Sequence, residues 1–199
     1  MTEKTEITAA GEDAREARAA LFEFFSLLFG GPRTPEFLAA WPDAFRSAAA
    51  FSEAAGSPGT VPEAEAAPES LALERELALL LYGVGPVTVP LSESAYTNDA
   101  WLRCQAPMQT LSEIYRRHGF SLTEEAERDA DALPAVFAFA AKLIRAKDPE
   151  EPLFIASHAA PLGLAVADAV SHAPKAPLLQ AAARAMQGFM AFEKAFSGL

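Results

Sequence analysis

The chain has 199 residues, enough for one domain with a buried core. Hydrophobic residues make up 51% and charged residues 22%, an ordinary globular composition, and the excess of alanine over valine and isoleucine favours helices over strands. The net charge of −11 would repel phosphate backbones, which excludes DNA and RNA as partners. An acidic surface serves solubility alone as readily as it serves a cationic partner, and the composition leaves both open.

The single cysteine and the first residues bear on the compartment. Cys104 cannot form an internal disulfide or a CxxC pair, and it is expected to pack as a small hydrophobe. Residues 1–10 carry two acids, one lysine and no apolar segment, so no secretory signal is predicted. No run of about 18 apolar residues occurs, so no membrane span is predicted either. These features together predict a cytoplasmic protein.

Helical periodicity begins at residue 14, where large apolar side chains recur at positions i, i+3, i+4 and i+7 up to residue 29. These side chains are Leu21, Phe24, Phe25 and Leu28. The preceding residues 1–12 are predicted to be a disordered tail. Gly30, Gly31 and Pro32 end the helix because none of them continues it readily.

Two short helices, 35–41 and 43–55, are predicted on either side of Pro42, and Asp43 can cap the second. Residues 56–68 are almost entirely glycine, proline, serine, alanine and glutamate, with little to bury. This composition predicts a flexible loop, since such a segment cannot offset the entropy of ordering it.

A leucine-rich helix over residues 69–82 is predicted to end at Gly83. Residues 87–94 contain one proline, Pro90, and two valines and are predicted to form an extended connector without a partner strand. The next helical stretch runs to His118, with Pro107 near its start. Its apolar positions are Trp101, Cys104, Met108, Leu111 and Tyr115.

The last third of the chain is mostly helical. An acidic segment over residues 121–131 predicts a turn or short helix. The segments after it are a helix at 133–147 with Pro134 in its first turn, a linker at 148–152, and helices at 153–171 and 176–197. Pro161 is expected to interrupt the first of these last two helices, and Phe196 is expected to face the core. The whole pattern predicts an all-α, single-domain bundle of about eight to ten helices spanning residues 1–199.

Signatures of catalysis are missing from the sequence. Gly83-Val84-Gly85-Pro86 lacks the later glycines of a phosphate-binding loop, and no HExxH occurs. The three histidines are scattered, and His158 is more often a satisfied helix residue than a metal ligand. We therefore predict a protein that is not an enzyme, with no catalytic residue, metal or cofactor. A metal-dependent enzyme using His158, Glu93 and Asp131 is the alternative.

Three sequence features occur in a specific order after residue 69. The first is Leu80-Leu81-Tyr82-Gly83, followed by Gly85-Pro86, Val89-Pro90 and Glu93-Ser94-Ala95-Tyr96. The second is Ile114-Tyr115-Arg116-Arg117-His118-Gly119-Phe120. The third is Asp131-Ala132-Leu133 leading to Phe137-Ala138-Phe139, with Phe154 and His158-Ala159-Ala160-Pro161 further on. This order resembles the TorD/DmsD/NarJ-type redox enzyme maturation chaperones over residues 69–199, and the helix at 14–29 also fits.

The resemblance implies an all-helical cytoplasmic chaperone for a molybdopterin oxidoreductase. Such a protein binds the twin-arginine export leader or the apo form of the catalytic subunit, assists cofactor insertion and holds back export until folding is complete. By the resemblance, the client-binding residues are Tyr82, Gly83, Pro86, Pro90, Glu93, Ser94, Tyr96 and Asp131. Monomer and homodimer are both compatible with it. The client among molybdoenzymes stays open, and so does direct binding of nucleotide or molybdenum cofactor.

The sequence departs from the family pattern just before the helix at 133–147. The family's histidine after the aspartate is Ala132 here, the proline before the aspartate is Ala130, and the usual glutamate in the helix is Val136. These changes indicate a divergent branch with its own client. Any role of that histidine in orienting a leader is lost or moved.

Physical chemistry independently favours such a receptor. An arginine-led apolar leader requires carboxylates at one end of an apolar groove, because arginine pairs bidentately with carboxylate. Asp131 and Glu93 can supply the charge, although Asp131 can equally be an N-cap. The groove floor can come from Tyr82, Tyr96, Phe137 and Phe139, although the two phenylalanines can equally be core. A helical adaptor that binds a folded subunit without its leader is a further alternative.

Overall fold

Ten α-helices form the framework of the protein in a computed structural model that describes residues 2–64, 66–97 and 105–197. They are α1 (Thr2–Gly30), α2 (Pro35–Ala39), α3 (Trp41–Ala54), α4 (Ser70–Leu81), α5 (Gln105–Arg117), α6 (Glu124–Glu127), α7 (Leu133–Ala146), α8 (Glu151–Phe154), α9 (Ala160–Ser171) and α10 (Pro177–Phe196). A 3₁₀ turn covers Glu93–Ala95, and a π turn covers Ile155–Ala159. The all-α prediction is confirmed.

The core lies between α1, α7 and α10, with α9 packed against α10. Phe22 on α1 is fully buried at the centre, and its ring meets Phe137 of α7 at 5.1 Å and Phe189 of α10 at 4.9 Å, both edge to face. Burying one such ring contributes about 2–3 kcal/mol relative to leaving it exposed. Phe139, another candidate for the groove floor, is also fully buried. Both Phe137 and Phe139 are therefore core residues and not part of a surface groove.

The first helix is longer than the sequence periodicity indicates, since α1 begins at Thr2. Residues 1–12 were expected to form a disordered tail, but the backbone from Thr2 onward is helical. Alanine, glutamate, lysine and threonine dominate this segment and lack an apolar period. Periodicity detects a helix by its apolar stripe, so it gives no signal for this part of α1.

The break between α2 and α3 falls at Ala40, two residues earlier than predicted. Pro42 lies in the first turn of α3, where its missing N–H costs no hydrogen bond. The predicted N-cap at Asp43 is wrong, because Asp43 is inside that turn and its carboxylate instead pairs with Arg46 at 2.7 Å. The cap of α2 is Thr34, whose hydroxyl accepts a hydrogen bond from the Phe37 amide.

The helix around Pro161 is continuous in direction but irregular in its hydrogen bonding. Helices α8 and α9 are joined by the π turn, and Pro161 lies in the first turn of α9. Pro161 has no N–H to donate, so a regular helix would lack one hydrogen bond here. The π turn widens the helix at this point and accommodates the proline without ending the helix, which is the form that the predicted interruption takes. The predicted linker is also shorter than 148–152, because Glu151 already begins α8.

The combined helix Glu151–Ser171 is long and apolar enough to cross a membrane by length and composition alone. Half of its most apolar window is buried inside the protein, which is the usual state of a core helix. Its neighbours in the fold are α7 and α10. The sequence analysis predicted no span, and the packing of this helix gives it a role in the core.

A buried ion triad joins α1, α8 and α10. The Arg18 guanidinium donates to Glu193 at 2.7 Å and to Glu151 at 2.7 Å. Burial raises the pKa of Glu193, although the adjacent Arg18 opposes that shift. Phe196 lies over Arg18, with the guanidinium carbon 4.6 Å from the ring centre, and it is 60% exposed. The prediction that Phe196 faces the core is therefore wrong, since the last turn of α10 extends past the buried ring of Phe189.

Helix α4 is positioned by a carboxylate from its own buried face. Glu76 accepts a hydrogen bond at 2.9 Å from the amide of Leu179 and so caps the first turn of α10. Burial raises the pKa of Glu76 above its ordinary value of 4.5, against the opposing effect of the amides that bond it. The predicted helix at 69–82 is confirmed as α4, and its end is held in place relative to the core.

Helix α5 is described from Gln105 onward and the residues before it lie outside the described ranges, so the position of Pro107 near a helix start stays a prediction. Its buried Leu111 and Tyr115 face the core as expected. The predictions for Trp101 and Cys104 lie outside the described residues.

Candidate functional site

The segment after α4, which we call the connector (residues 82–97), leaves the helix by a tight turn. Gly83 has a φ of +69°, a conformation that favours glycine. A Cβ atom at Gly85 would lie 2.5 Å from the Leu79 carbonyl oxygen, so only glycine allows the backbone to pass so close to α4. The Gly83-Val84-Gly85-Pro86 sequence is therefore a chain reversal, and Gly83 and Pro86 are both exposed on it.

The connector then runs extended and is fixed by backbone hydrogen bonds at both ends. The Val89 amide donates to the Leu80 carbonyl at 2.8 Å. Further along, the Leu133 amide donates to the Leu91 carbonyl at 2.9 Å, and the Glu93 amide donates to the Asp131 carbonyl at 2.8 Å. The extended conformation is confirmed, but the absence of a pairing partner is wrong. The partner is the short stretch before α7, which has too few residues to show a strand pattern in the sequence.

Asp131 is the polar centre of this pairing. Its side chain is buried, with the residue 1% exposed, and one carboxylate oxygen accepts a hydrogen bond from the Ser94 amide at 3.0 Å. Ser94 is itself fully buried. Asp131 thus fastens the 3₁₀ turn Glu93–Ala95 to the start of α7, through its main chain and its side chain together.

Two tyrosine hydroxyls also hold the connector and the residues before α7 in place, through hydrogen bonds to backbone carbonyls. Tyr96 donates to the Pro90 carbonyl at 2.7 Å, and Tyr115 of α5 donates to the Ala130 carbonyl at 2.9 Å. Burial raises the pKa of Tyr96, with the charge of Asp168 adding to the shift. Burial also raises the pKa of Tyr115, helped by nearby carboxylates. Both hydroxyls therefore keep their protons at neutral pH and act as donors to carbonyl groups.

Glu93 faces the π turn. Its carboxylate lies 3.0 Å from the Nδ1 atom of His158, and the two side chains are 14% and 19% exposed. The His158 ring also stacks at a tilt against Phe154 at 5.3 Å. Asp131 is engaged with Ser94 and not with this pair. Within the described ranges, no group of three or more histidine, cysteine, aspartate or glutamate residues is placed to hold a metal ion.

A cleft of about 600 Å³ opens on the other side of the connector. Its walls are the last residues of α1 and α4, the connector itself and the first turn of α7. The lining residues are Phe29, Gly30, Leu81, Tyr82, Thr88, Val89, Pro90, Leu91, Ser92, Thr123, Asp129, Ala132, Pro134 and Ala135. Among the lining residues that the structure describes, Asp129 carries the one carboxylate, and none is a lysine, arginine or histidine. In the described part of the chain, the cleft therefore combines mostly apolar walls with a negative side chain.

Two large exposed side chains stand at the cleft and the turn beside it. Tyr82 is 70% exposed and lines the cleft, and Val84 in the adjoining reversal is 71% exposed. Tyr82 also lines a second groove with Arg33 and Glu74. Exposed aromatic rings of this kind are enriched in protein-binding surfaces because they bury a large area with few rotatable bonds.

The structure divides the eight residues predicted as client-binding. Tyr82 and Pro90 line the cleft, and Gly83 and Pro86 form the exposed turn beside it. The other four residues lie on the connector or beneath it, and they hold its shape. They are Glu93, Ser94, Tyr96 and Asp131. The sequence analysis did not single out Asp129, which lines the cleft and lies in the acidic segment two positions before Asp131.

The all-helical fold is the one expected from the sequence motifs that resemble the TorD/DmsD/NarJ-type maturation chaperones. The family model described as nitrate reductase delta subunit matches residues 34–164, about two thirds of the chain. The protein belongs to this family, whose members are chaperones for the maturation of molybdoenzymes and not catalytic enzymes. The match includes the whole connector and Asp131. No curated protein and no solved structure matches the chain.

Proposed function

We propose that the protein binds the twin-arginine leader, or the apo form, of the catalytic subunit of a nitrate reductase-type molybdenum oxidoreductase in the cytoplasm. In doing so it assists cofactor insertion and holds back export until the client has folded. Membership of the nitrate reductase delta subunit family supports the client class. The cleft beside the connector is the observation that supports the leader as ligand.

The charge around the cleft favours a cationic segment. Helices α1 and α4 both end at the cleft, and the C-terminal end of a helix carries a partial negative charge. Neither helix has a basic residue in its own last turn, but Arg33, just after α1, donates to the Leu27 carbonyl at 2.8 Å and offsets the charge at the end of α1. Helix α7 begins at the cleft with a positive end, so the negative end of α4 and the Asp129 carboxylate are the groups that favour a cationic segment there.

The apolar walls suit the hydrophobic part of a leader. A helical peptide can lie in a groove between helices and insert apolar side chains at i, i+3, i+4 and i+7. Leu81, Val89 and Leu91 supply apolar contacts inside the cleft, and Tyr82 supplies an exposed ring at its wall. We expect an affinity of about 1 μM, equivalent to about 8 kcal/mol, for a complete leader peptide.

The eight predicted residues take two parts in this proposal. Tyr82, Gly83, Pro86 and Pro90 form the surface that touches the client. Glu93, Ser94, Tyr96 and Asp131 position that surface through the hydrogen bonds of the connector. Losing either part should weaken binding, but only the first part should respond to the chemistry of the peptide.

The experiment uses the purified full chain and a synthetic leader from a molybdoenzyme catalytic subunit encoded beside it. Titration calorimetry should give a 1:1 complex of about micromolar affinity, and the Tm should rise with peptide concentration. A scrambled peptide of equal charge and length is the control. If neither the calorimetry nor the Tm responds to any such leader, leader binding is excluded.

Co-purification separates leader binding from an adaptor function. A client expressed without its leader should be recovered with the chaperone in much smaller yield than the complete client. Equal recovery of the two forms would show that a folded subunit surface, and not the leader, is bound.

A further inference from the structure

We infer that the second groove, on the far side of Tyr82 from the cleft, binds an acidic side chain of the same leader, and that Arg33 recognises its carboxylate. The inference rests on the proposed function, because it concerns the peptide that occupies the cleft. The groove has a volume of about 370 Å³. Its lining residues are Gly31, Pro32, Arg33, Glu74, Leu77 and Tyr82. Of these described lining residues, Arg33 is the one that carries a positive charge.

The second groove continues the cleft along the surface. Tyr82 lines both spaces and its exposed ring forms the boundary between them. At the end of α1, Gly30 lines the cleft and the next residue, Gly31, lines the groove. A peptide that leaves the cleft past Tyr82 therefore enters the groove without leaving the protein.

The guanidinium of Arg33 is fixed in position by only some of its donors. Its Nη1 atom donates to the Leu27 carbonyl at 2.8 Å, and its central carbon lies 5.9 Å from the centre of the Phe37 ring. Its Nε atom is shielded from solvent and has no hydrogen-bond partner among the residues that the structure describes. In the same part of the chain Arg33 forms no ion pair. The edge formed by Nε and Nη2 is thus the edge that an incoming acceptor can use.

A carboxylate has the geometry that this edge of an arginine recognises. The Nε and Nη2 donors are parallel and lie in one plane, so they match the two oxygens of a carboxylate. A carboxylate in the groove would bond Nη2 first and, after a small rotation of the arginine side chain, Nε as well. A buried donor without an acceptor is unfavourable, and the ligand would remove that cost.

The electrostatic surroundings of Arg33 also favour an anionic ligand. Burial lowers the pKa of Arg33 below its ordinary value, although the nearby Tyr82 and Glu74 side chains oppose the shift. Arginine nevertheless keeps its charge at neutral pH. A half-buried charge without a bonded counter-ion is disfavoured, so an arriving carboxylate gains more here than at an exposed arginine.

Glu74 is a carboxylate of the protein in the same groove. It is exposed, and its closest hydrogen bond is with the Ser70 hydroxyl at 3.3 Å. Because it influences Arg33 without forming an ion pair with it, it is a competitor for the guanidinium and not a fixed partner. Removing the charge of Glu74 should therefore strengthen the binding of a ligand carboxylate.

The net charge of the chain favours a singly charged group delivered by a peptide. At −11 the protein repels free anions, and it repels those with several charges, such as phosphate, more strongly. An acidic side chain on a leader already held in the cleft has a high local concentration at the groove, which offsets that repulsion.

The test compares glutamate with glutamine along the leader. In each synthetic peptide, one position outside the arginine pair and the apolar segment carries glutamate or glutamine, all other carboxylates are replaced by amides, and every such position is tested in turn. Titration calorimetry with the full chain gives the ratio of the glutamine Kd to the glutamate Kd at each position. The variants are R33Q, R33K and E74Q. R46Q, which removes an exposed arginine paired with Asp43 on α3, controls for the loss of one positive charge.

The unaltered protein and R46Q should bind the glutamate peptide about fivefold more tightly than the glutamine peptide at one position or at two neighbouring ones. R33Q should abolish this preference and leave the affinity for the glutamine peptide unchanged. R33K should keep a smaller preference, since an ammonium group attracts the carboxylate without offering paired donors. E74Q should increase the preference by about twofold. Circular dichroism and Tm check that each variant is folded.

Three results would overturn the assignment while leaving leader binding intact. The first is the absence of a glutamate preference at every position, and the second is a preference that persists in R33Q. The third is an equal loss of affinity for both peptides in R33Q, which would show that Arg33 only holds the end of α1 in place. A protein that binds none of the peptides would instead refute the proposed function, so the two failures are distinguishable.

Discussion

The centre of the bundle and the connector are held by different forces. Around Phe22, the aromatic rings of three helices meet with almost no polar contact, and many side chains share the burial. The connector has few such neighbours. It depends on a small number of hydrogen bonds, three of which join it to residues 131–133. Two of its exposed side chains, Tyr82 and Thr88, line the cleft.

This contrast shows how stability and binding can be divided within one small domain. The core stabilises the fold through its buried apolar surface area, and each buried side chain contributes part of that free energy. The connector supplies a shape through a few directional bonds, and little of its surface is needed for folding. Substitutions in the two regions should therefore have opposite profiles, with a large loss of stability in one and a large loss of binding in the other.

The largest expected effect on stability is in the core. Phe137→Ala removes a fully buried ring that contacts Phe22 and leaves a cavity, so the free energy of unfolding should fall by about 3–5 kcal/mol. Urea denaturation followed by circular dichroism measures it. Under conditions in which the variant is still folded, its leader affinity should match the unaltered protein. A loss below about 1 kcal/mol would contradict the central place given to this ring.

An intermediate effect is expected where the connector joins the bundle. Asp131→Ala leaves the buried Ser94 amide without its acceptor, so the free energy of unfolding should fall by about 1–3 kcal/mol. Asp131→Asn keeps an acceptor oxygen and should lose less. Hydrogen exchange would locate the change, with faster exchange of the Ser94 and Glu93 amides and little change in α7. Equal stability of the alanine and asparagine variants would contradict the role of this hydrogen bond.

The smallest effect on stability is expected at the cleft wall. Tyr82 is 70% exposed, so Tyr82→Ala should change the free energy of unfolding by no more than about 0.5 kcal/mol. Leader affinity should nevertheless fall about tenfold, as for an aromatic contact residue. Leu71→Ala, at a 57% exposed position on α4, is the matched control and should change neither quantity. A Tyr82 variant with normal leader affinity would remove this wall from the binding surface.

Much of the fold could be predicted from the sequence because apolar periodicity and proline positions report helices directly. The ends of helices α4, α7 and α10 were predicted to within one residue, since each helix combines an apolar stripe with a clear stop. Helix α1 before residue 14 was missed because it has no such stripe. Phe196 was misplaced because periodicity gives the direction of a side chain and not whether another helix lies there.

The candidate site could be predicted only as a region of the chain. The motif order drew attention to the connector and to Asp131, and the structure places both at one site. Sequence alone could not tell which side chains face the cleft, because an extended segment with two prolines has no regular period to assign faces. The pairing of the connector with residues 131–133 also depends on contacts about forty residues apart along the chain.

The π turn at Ile155–Ala159 makes the length of this part of the chain hard to change. It holds one residue more per turn than the helix on either side of it, and a regular helix rotates by about 100° for each residue. Deleting one residue here would restore regular winding but swing every side chain of α9 round by that angle. Val166 and Val170 would then leave the interior together, and His158 would turn away from Glu93. Evolution can therefore exchange side chains in this turn far more easily than it can shorten it.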